Sequence, residues 1–320
     1  MAQAIKHPTE HKNFWRPATR EAITGWLFAA PWIIGFALFT VGPMLFSAYT
    51  SFTNYSITND PVWIGTENYT NLFNDERFYQ SLGNTFWIVL VKIPIVTLAS
   101  IGIALLLNMD LPGGQFYRTV FYLPQVLAGV AAIFLWKWIL APDGLFNNFL
   151  GLIGIPESAR PGWFYDPMWT KPGIVIMGMW WIGGNILIYL AGLKGVPNSL
   201  YEAAEIDGAS SWQKVVNITL PMLSPTIFFQ VITGIIGAFQ IFSTAFIITG
   251  KDSNVGGPDG SLLFYVLYLY NRAFGRTGQA TLQMGYASAM AWVLFGIILL
   301  ITVFQLWLAK RWVHYETEGR

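Results

Sequence analysis

Cysteine is absent from all 320 residues, which removes disulfides, thiol catalysis and cysteine-ligated metals together. The absence carries no information about compartment. Charge is scarce as well. Only 11% of the residues are Asp, Glu, Lys or Arg, against the about 25% with which a water-exposed domain covers its surface, so lipid is the expected solvent for much of this chain. The formal net charge is +1, and no basic excess points to a nucleic-acid partner. Histidine occurs at His7, His11 and His314, all in the terminal stretches, so neither a metal centre nor a histidine-based catalytic set is expected. A G-x-x-x-x-G-K phosphate loop closed by Ser or Thr is missing, and Gly250-Lys251-Asp252 lacks both the upstream glycine and the hydroxyl. Nothing in this pattern would cradle nucleotide phosphates. No catalytic residue is assigned, and the chain is read as not an enzyme.

What the chain has in quantity is apolar. Hydrophobic residues make up 54% of it, gathered in runs of roughly 20, the length that crosses about 30 Å of hydrocarbon as a helix. The runs lie at Trp26–Tyr49, Thr85–Leu107, Val120–Leu140, Gly173–Leu193, Met222–Thr249 and Met284–Leu308, and none contains an Asp or Glu. They are too long and too evenly apolar for barrel strands, which alternate over about ten residues. Backbone in lipid must bond within its own segment or a closed barrel, so the expected fold class is an all-α membrane protein with six transmembrane helices. Fifteen Trp and fourteen Tyr suit the interfacial belts where amphipathic rings settle. The polar stretch 1–24 is expected to be an N-terminal tail, 25–312 the membrane domain and 313–320 a C-terminal tail. The first run is too long for the core of a cleavable signal and is read as a retained helix.

Six crossings put both termini on one side, and Lys and Arg say which. The loops of that side hold Lys6, Lys12, Arg16, Arg20, Arg118, Lys194, Lys214, Lys310, Arg311 and Arg320. The opposite side, longer overall, holds Arg77, Arg160, Lys171, Lys251, Arg272 and Arg276. Both termini and the loop 199–221 are therefore expected in the cytoplasm. Two cations fall inside apolar runs, where a central Lys costs about 2.5–3.5 kcal/mol. Lys137 lies a turn from its run's end and is expected to snorkel; Lys92 lies deeper and is expected to face a partner subunit or a water-filled cavity. Outside, the stretch 144–155 has helical apolar spacing and is read as a helix lying along the membrane surface or packed on the helix tops.

The loop 199–221 is the most informative segment. Ser199 followed three residues later by Glu202 predicts a capping box, Gly208 suits a left-handed helix end, and Pro221 suits the first turn of the next helix. Such a short, firmly ended helix between two crossings would pass displacement on rather than absorb it. Its Ala203-Ala204 face admits close approach, and Glu202 and Asp207 offer carboxylates to cations of another surface.

The spacing also carries a resemblance. Glu202-Ala203-Ala204, three residues, Gly208, nine residues, Ile218, one residue, Leu220-Pro221 is similar at every fixed position to the docking loop of binding-protein-dependent ABC importer permeases. Phe116 to Pro124, Leu135 to Trp138, Pro142-Asp143-Gly144, Gly256-Gly257-Pro258, Asn68-Tyr69 and Asn84-Thr85 resemble the carbohydrate branch of that family, first-position subunits of multiple-sugar and maltose-type importers. The likeness runs from about residue 22 to 312. It implies a MetI-like ABC importer permease fold and a pore shared with a second homologous permease subunit. Two copies of an ABC ATPase and an extracytoplasmic sugar-binding protein complete the implied assembly, in a bacterial or archaeal cell (inner) membrane. It implies no cofactor in this chain, ATP and Mg being held by the partner ATPase. Glu202, Ala203, Ala204, Asp207, Gly208, Ile218, Leu220 and Pro221 would form the ATPase-coupling element. The chain has no large external insert, which sets it apart from the maltose permease subunit.

Sugars present hydroxyls and apolar C–H faces, so amides, hydroxyls and aromatic rings are the side chains to seek. Trp180, Trp181, Gly184 and Asn185 offer them in the fourth run. Gln230, Thr233, Gly237, Gln240 and Thr244 offer them in the fifth, at near-heptad spacing on one face. Helix-to-helix adhesion by small and polar residues is the competing reading of both groups. An importer of another solute such as glycerol phosphate would need a dense cationic pocket, and Lys92 alone is available within a run away from its ends. An ion-coupled secondary transporter would place carboxylates in the runs, which hold none.

Overall fold

Prolines and glycines decide where the apolar runs stay straight and where they break. The computed structural model describes residues 17–109, 112–127, 129–250, 252, 255–275 and 282–314. His7, His11, Lys251, Arg276 and most of both expected tails lie outside the described residues. The chain divides into two units, up to Tyr49 and from Thr50 onward.

In the first unit, α1 (Pro17–Phe36) starts inside the stretch read as a polar tail and runs through a π-helical turn, Ala37–Val41, into α2 (Gly42–Thr50). The turn has a cause. Pro43 lacks an N–H and its ring crowds the carbonyl four residues back. Bonding the Gly42 N–H to Ala37 O, one residue further than usual, widens the ladder where the ring must fit.

The second unit opens on a hairpin, β1 (Thr53–Ser56) and β2 (Asn59–Trp63), then α3 (Glu67–Phe73) and the 33-residue α4 (Glu76–Asn108). At 1.5 Å per residue α4 is about 50 Å long, so it extends well beyond the run read from the sequence. The third run is not one helix: α5 (Gly114–Val126) ends where Leu127 turns extended, and α6 (Gly129–Ile139) starts afresh. The fourth is broken too, into α8 (Pro167–Met179) and α9 (Gly183–Lys194), bent by 51°, with α7 (Leu145–Leu152) before them. The short α10 (Asn198–Ile206) comes next, then α11 (Ser211–Lys214), a second π-helical turn at Val215–Thr219 and α12 (Leu220–Phe239). Residues Gln240–Phe242 interrupt the fifth run before α13 (Ser243–Thr249). After α14 (Tyr265–Ala273), α15 (Met284–Ala309) matches the sixth run within one residue. Among the described residues, four helical stretches are thus long and apolar enough to span, and up to six spans result if each bent pair is one.

Helix α4 is the axis of the unit. Towards its start it meets a core containing Phe78, Ile88, Phe239, Tyr265, Tyr268 and Met290; towards its end, Ile101, Ala104 and Leu107 pack with Ile186, Tyr189 and Leu193 of α9. Polar residues fix the loops to it. Asn84 Nδ2 donates to Gly260 O at 2.8 Å and Leu263 O at 3.1 Å, and Thr85 Oγ1 accepts from Tyr265 N at 3.0 Å. Asn68 Nδ2 likewise holds Ser51 O and Thr53 O at 2.9 Å. Asn68, Asn84 and Thr85, motif residues outside the loop 199–221, are therefore joints of the scaffold. Helix α7 packs inward through Asn147, which donates to Pro142 O and Pro161 O and accepts from Trp163.

Candidate functional site

The loop between α9 and α12 is built as two short helices at a tight corner. Helix α10 ends on Asp207 and Gly208, whose φ of +76° is the left-handed conformation that glycine adopts without a Cβ penalty. Gly208 N–H bonds Glu205 O at 3.0 Å and Ala209 N–H bonds Ala204 O at 2.9 Å, a complete Schellman closure. The expected capping box at Ser199–Glu202 does not form. Pro197 precedes the first helical residue, Asn198, and no side chain caps that end. The box stands instead at the start of α11, where Ser210 N–H donates to Gln213 Oε1 at 2.7 Å and Gln213 N–H to Ser210 Oγ at 3.4 Å. Pro221 lies in the first turn of α12, as expected, but α12 continues without a gap from the helix that begins at Ser211, so the proline stands about three turns inside the continuous helix. The π-helical turn ahead of it, with Leu220 N–H bonded to Val215 O, accommodates the proline as the turn before Pro43 does.

Two contacts brace α10 against the start of the fifth run. Glu205 accepts from Lys214 Nζ at 2.7 Å, which holds its carboxyl below the usual range by that hydrogen bond and the ammonium charge. The Tyr201 and Thr219 hydroxyls are 2.9 Å apart. Glu202, Ala203, Asp207 and Gly208 are exposed, and Ala204, Ile218, Leu220 and Pro221 are half-buried. Two apolar side chains outside the expected coupling set also stand out here: Ile206 is 88% exposed and Trp212 73%. Two such side chains on a corner otherwise closed by hydrogen bonds form a surface shaped for contact.

The second group of expected residues gathers at helix breaks. Trp180 and Trp181 lie in the bend between α8 and α9, Trp180 edge-on to Trp136 at 5.4 Å. Gln125 Nε2 donates to Trp181 O at 2.7 Å, satisfying a carbonyl that the bend removes from its ladder. The paired glycines have a packing reason: a Cβ on Gly183 would stand 2.1 Å from Phe121 O, and one on Gly184 would stand 2.9 Å from Gln125 Nε2. Asn185 is half-buried beside them.

On α12, Thr233, Gly237 and Gln240 are exposed together with Phe229. Gln230 sits at the edge of that face, its Nε2 buried without a hydrogen bond among the described residues. Thr244 belongs to α13, beyond the break, so the five-residue stripe is not one helix face. No hydrogen bond joins the α9 and α12 groups among the described residues. Lys137 does not snorkel; its Nζ donates to Ile248 O at 2.8 Å, because α13 ends beside it. Lys92 is half-buried, its stem against α8 where a Cβ on Gly178 would be 2.7 Å from Lys92 Cε.

A third feature had no sequence signal beyond a capping residue. Asp75 caps α4 by accepting from Arg77 N at 3.0 Å. Its other oxygen accepts from Arg272 Nη2 at 2.9 Å, from Tyr286 OH at 2.7 Å and from Tyr268 OH. Burial pushes this carboxyl up, but Tyr268, Tyr286, Arg272 and the backbone N–H of Arg77 together hold it below its ordinary value. Burial and the bond to Asp75 push the Tyr268 phenol up. Around the cluster lies a polar cavity of 490 Å³. Among the described residues, no group of three or more His, Cys, Asp or Glu could hold a metal.

Residues 69–314 match the family model described as binding-protein-dependent transport system inner membrane component. Relatives include the probable ABC transporter permease protein YesP of Bacillus subtilis, 41% identical over 95% of this chain and 96% of that one. The lactose transport system permease protein LacF of Rhizobium radiobacter is 36% identical over 90% and 94%. Among solved structures, a chain of a bacterial alginate ABC transporter, crystallised with its alginate pentasaccharide-bound periplasmic protein, superposes with a TM-score of 0.75. It has 24% identity, covering 91% of this chain and 96% of that one, and so speaks for the fold.

Proposed function

The chain belongs to the inner membrane components of binding-protein-dependent transport systems, and on that footing we propose that it is a permease subunit of an ATP-driven carbohydrate importer. It is a multi-pass inner membrane protein. A relative named for lactose transport at 36% identity supports sugar as the cargo. The sugar arrives on an extracytoplasmic binding protein and crosses by alternating access, in a pore shared with a second homologous permease.

Hydrolysis takes place in two copies of a separate ABC ATPase, which hold the ATP and Mg. The observation that carries this reading is the braced corner at α10. Glu202, Ala203, Asp207 and Gly208 stand exposed beside Ile206 and Trp212, ready to seat in a cleft of that ATPase. Ala204, Ile218, Leu220 and Pro221 lie behind, on the path into α12. Because Glu205–Lys214 and Tyr201–Thr219 tie the corner to the helix that continues into α12, a push on α10 is passed on to the exposed face of Thr233, Gly237 and Gln240. The sugar pathway runs along that face and past Trp180, Trp181, Gly184 and Asn185, with Gln230 and Thr244 at its margins. Non-helical backbone at membrane depth fits such a role, since it is tolerated where it is buried or lines a cavity.

The test is a mild-detergent pull-down of the tagged chain from its host, with the co-purifying proteins identified by mass spectrometry. Recovery of a P-loop ATPase and a second permease is expected, with sugar uptake once the complex and its binding protein are placed in liposomes. A chain that purifies alone, under conditions that preserve a control complex, overturns the reading.

A further inference from the structure

The polar cavity around Asp75 is far from the α10 corner. Helix α15 begins at its wall with Tyr286 and ends near α12, where His314 N–H donates to Ser224 Oγ at 2.9 Å. Twenty-six residues separate those ends, about 39 Å of helix. The cavity therefore opens at the end of the bundle opposite α10, which is the outer face if α10 meets the ATPase.

Its floor is fixed before any ligand arrives. Asp75 accepts from both Arg272 and Tyr286, and Gln283 Oε1 accepts from Arg272 Nη1 at 3.1 Å. Preorganised groups of this kind lose little freedom on binding. Asn54 on β1 and Asn71 on α3 stand exposed on opposing elements of the rim, and each amide carries both donors and an acceptor. A volume of 490 Å³ is within the about 300–1,000 Å³ of small-molecule sites. Most such sites are lined by apolar groups, whereas this one is lined by amides, carboxylates and phenols. Charge narrows the ligand further. Asp75 and Arg272 neutralise each other, which leaves Glu67 at the rim as the remaining formal charge of the lining. An anionic ligand would be repelled, while a neutral polyol finds donors and acceptors in near-equal supply.

We propose that this cavity is an accessory site for a neutral sugar unit at the outer mouth of the permease, separate from the α12 face. The proposal rests on the carbohydrate reading of the chain and adds a second place where sugar is held by it. It is tested on the assembled importer in nanodiscs, without its binding protein, by saturation-transfer NMR. Lactose and maltotriose serve as neutral probes and digalacturonate as the anionic one. Transfer to a neutral probe is expected, with none to digalacturonate. Asn54→Leu and Asn71→Leu should each weaken apparent affinity by about tenfold, the loss of one or two hydrogen bonds, with assembly checked by size exclusion. Gln240→Ala should leave this signal in place.

Wild-type affinity in both rim variants overturns the site, as does a signal abolished by Gln240→Ala, or silence from both neutral probes. Uptake of a sugar by the same importer with its binding protein keeps the two questions apart. Transport with unaltered rim variants sinks the accessory site alone, and an importer that carries no sugar sinks both.

Discussion

Asp75 shows how much a single carboxylate can organise. It accepts four donors from three separated parts of the chain while only 13% of its side chain is exposed. Removing the charge leaves the Arg272 guanidinium, 17% exposed, with a weaker partner. Asp75→Asn should therefore destabilise the chain by about 2 kcal/mol at neutral pH, read as a lower Tm of the solubilised complex. The sign with pH comes from the lowered value of the native carboxyl. Its contribution is complete above the unfolded value of about 3.9 and is lost as pH falls through the lower native one. Wild type and variant should thus differ equally from pH 7 to about 5 and converge in stronger acid; a gap that widens in acid would contradict the assignment.

Gly208 is the opposite kind of residue, one whose role is legible in the sequence, because a glycine after a short polar helix has few other reasons to be there. Its φ of +76° is strained for any L-residue, by about 1–2 kcal/mol, and a Cβ there meets open space. Gly208→Asp should insert and assemble normally yet lower sugar uptake per ATP hydrolysed at least about tenfold. Normal coupling in that variant would remove the corner from the mechanism. Asp75 is legible only as a helix cap, since its partners lie about 200 residues away and no spacing rule reaches that far.

At the level of elements, the sequence shows where apolar runs begin and end, but not where they break. Hydropathy sums over a window, and breaks of three residues such as Trp180–Ile182 or Gln240–Phe242 are too short to end an apolar run. The breaks come from tertiary contacts, such as Gly183 pressed on Phe121 O and Gln125 taking the Trp181 carbonyl. The capping box shifts for a related reason. Ser199 and Ser210 each have a suitable partner three residues on, and the proline at 197 together with the Gly208 corner selects the second. The brace between α10 and α11 is likewise invisible in the sequence, its partners being nine residues apart across a turn. It offers a clean separation of coupling from stability. The pair is open to water on the Glu205 side, where an ion pair contributes little to stability, so Lys214→Glu should leave the Tm within a degree or two. Repulsion from Glu205 would loosen the corner, and uptake per ATP should fall several-fold. Restoring the pair in reverse, with Glu205→Lys added, should recover it; a double variant no better than the single would mean the brace transmits nothing.

For the whole molecule, the absence of cysteine turns orientation into a direct measurement. Any single introduced Cys is the only thiol in the chain, so its labelling reports one position. The Lys and Arg balance puts ten cations on the side of the termini and six on the other, and on that balance we propose that α10 faces the cytoplasm. The hairpin turn and the corner then lie on opposite sides of the membrane. Asp60 on β2 and Asp207 at the end of α10 are both exposed and touch neither core, so Asp60→Cys and Asp207→Cys should fold alike. In intact cells whose outer barrier is open to small reagents, a membrane-impermeant maleimide should modify Asp60→Cys and spare Asp207→Cys. After the inner membrane is permeabilised, both should react. The reverse pattern would carry α10 away from any cytoplasmic ATPase and bring the Asp75 cavity inside. The coupling reading and the outer sugar site would then fall together, since both depend on the single assumption that α15 crosses from the cavity to the cytoplasm.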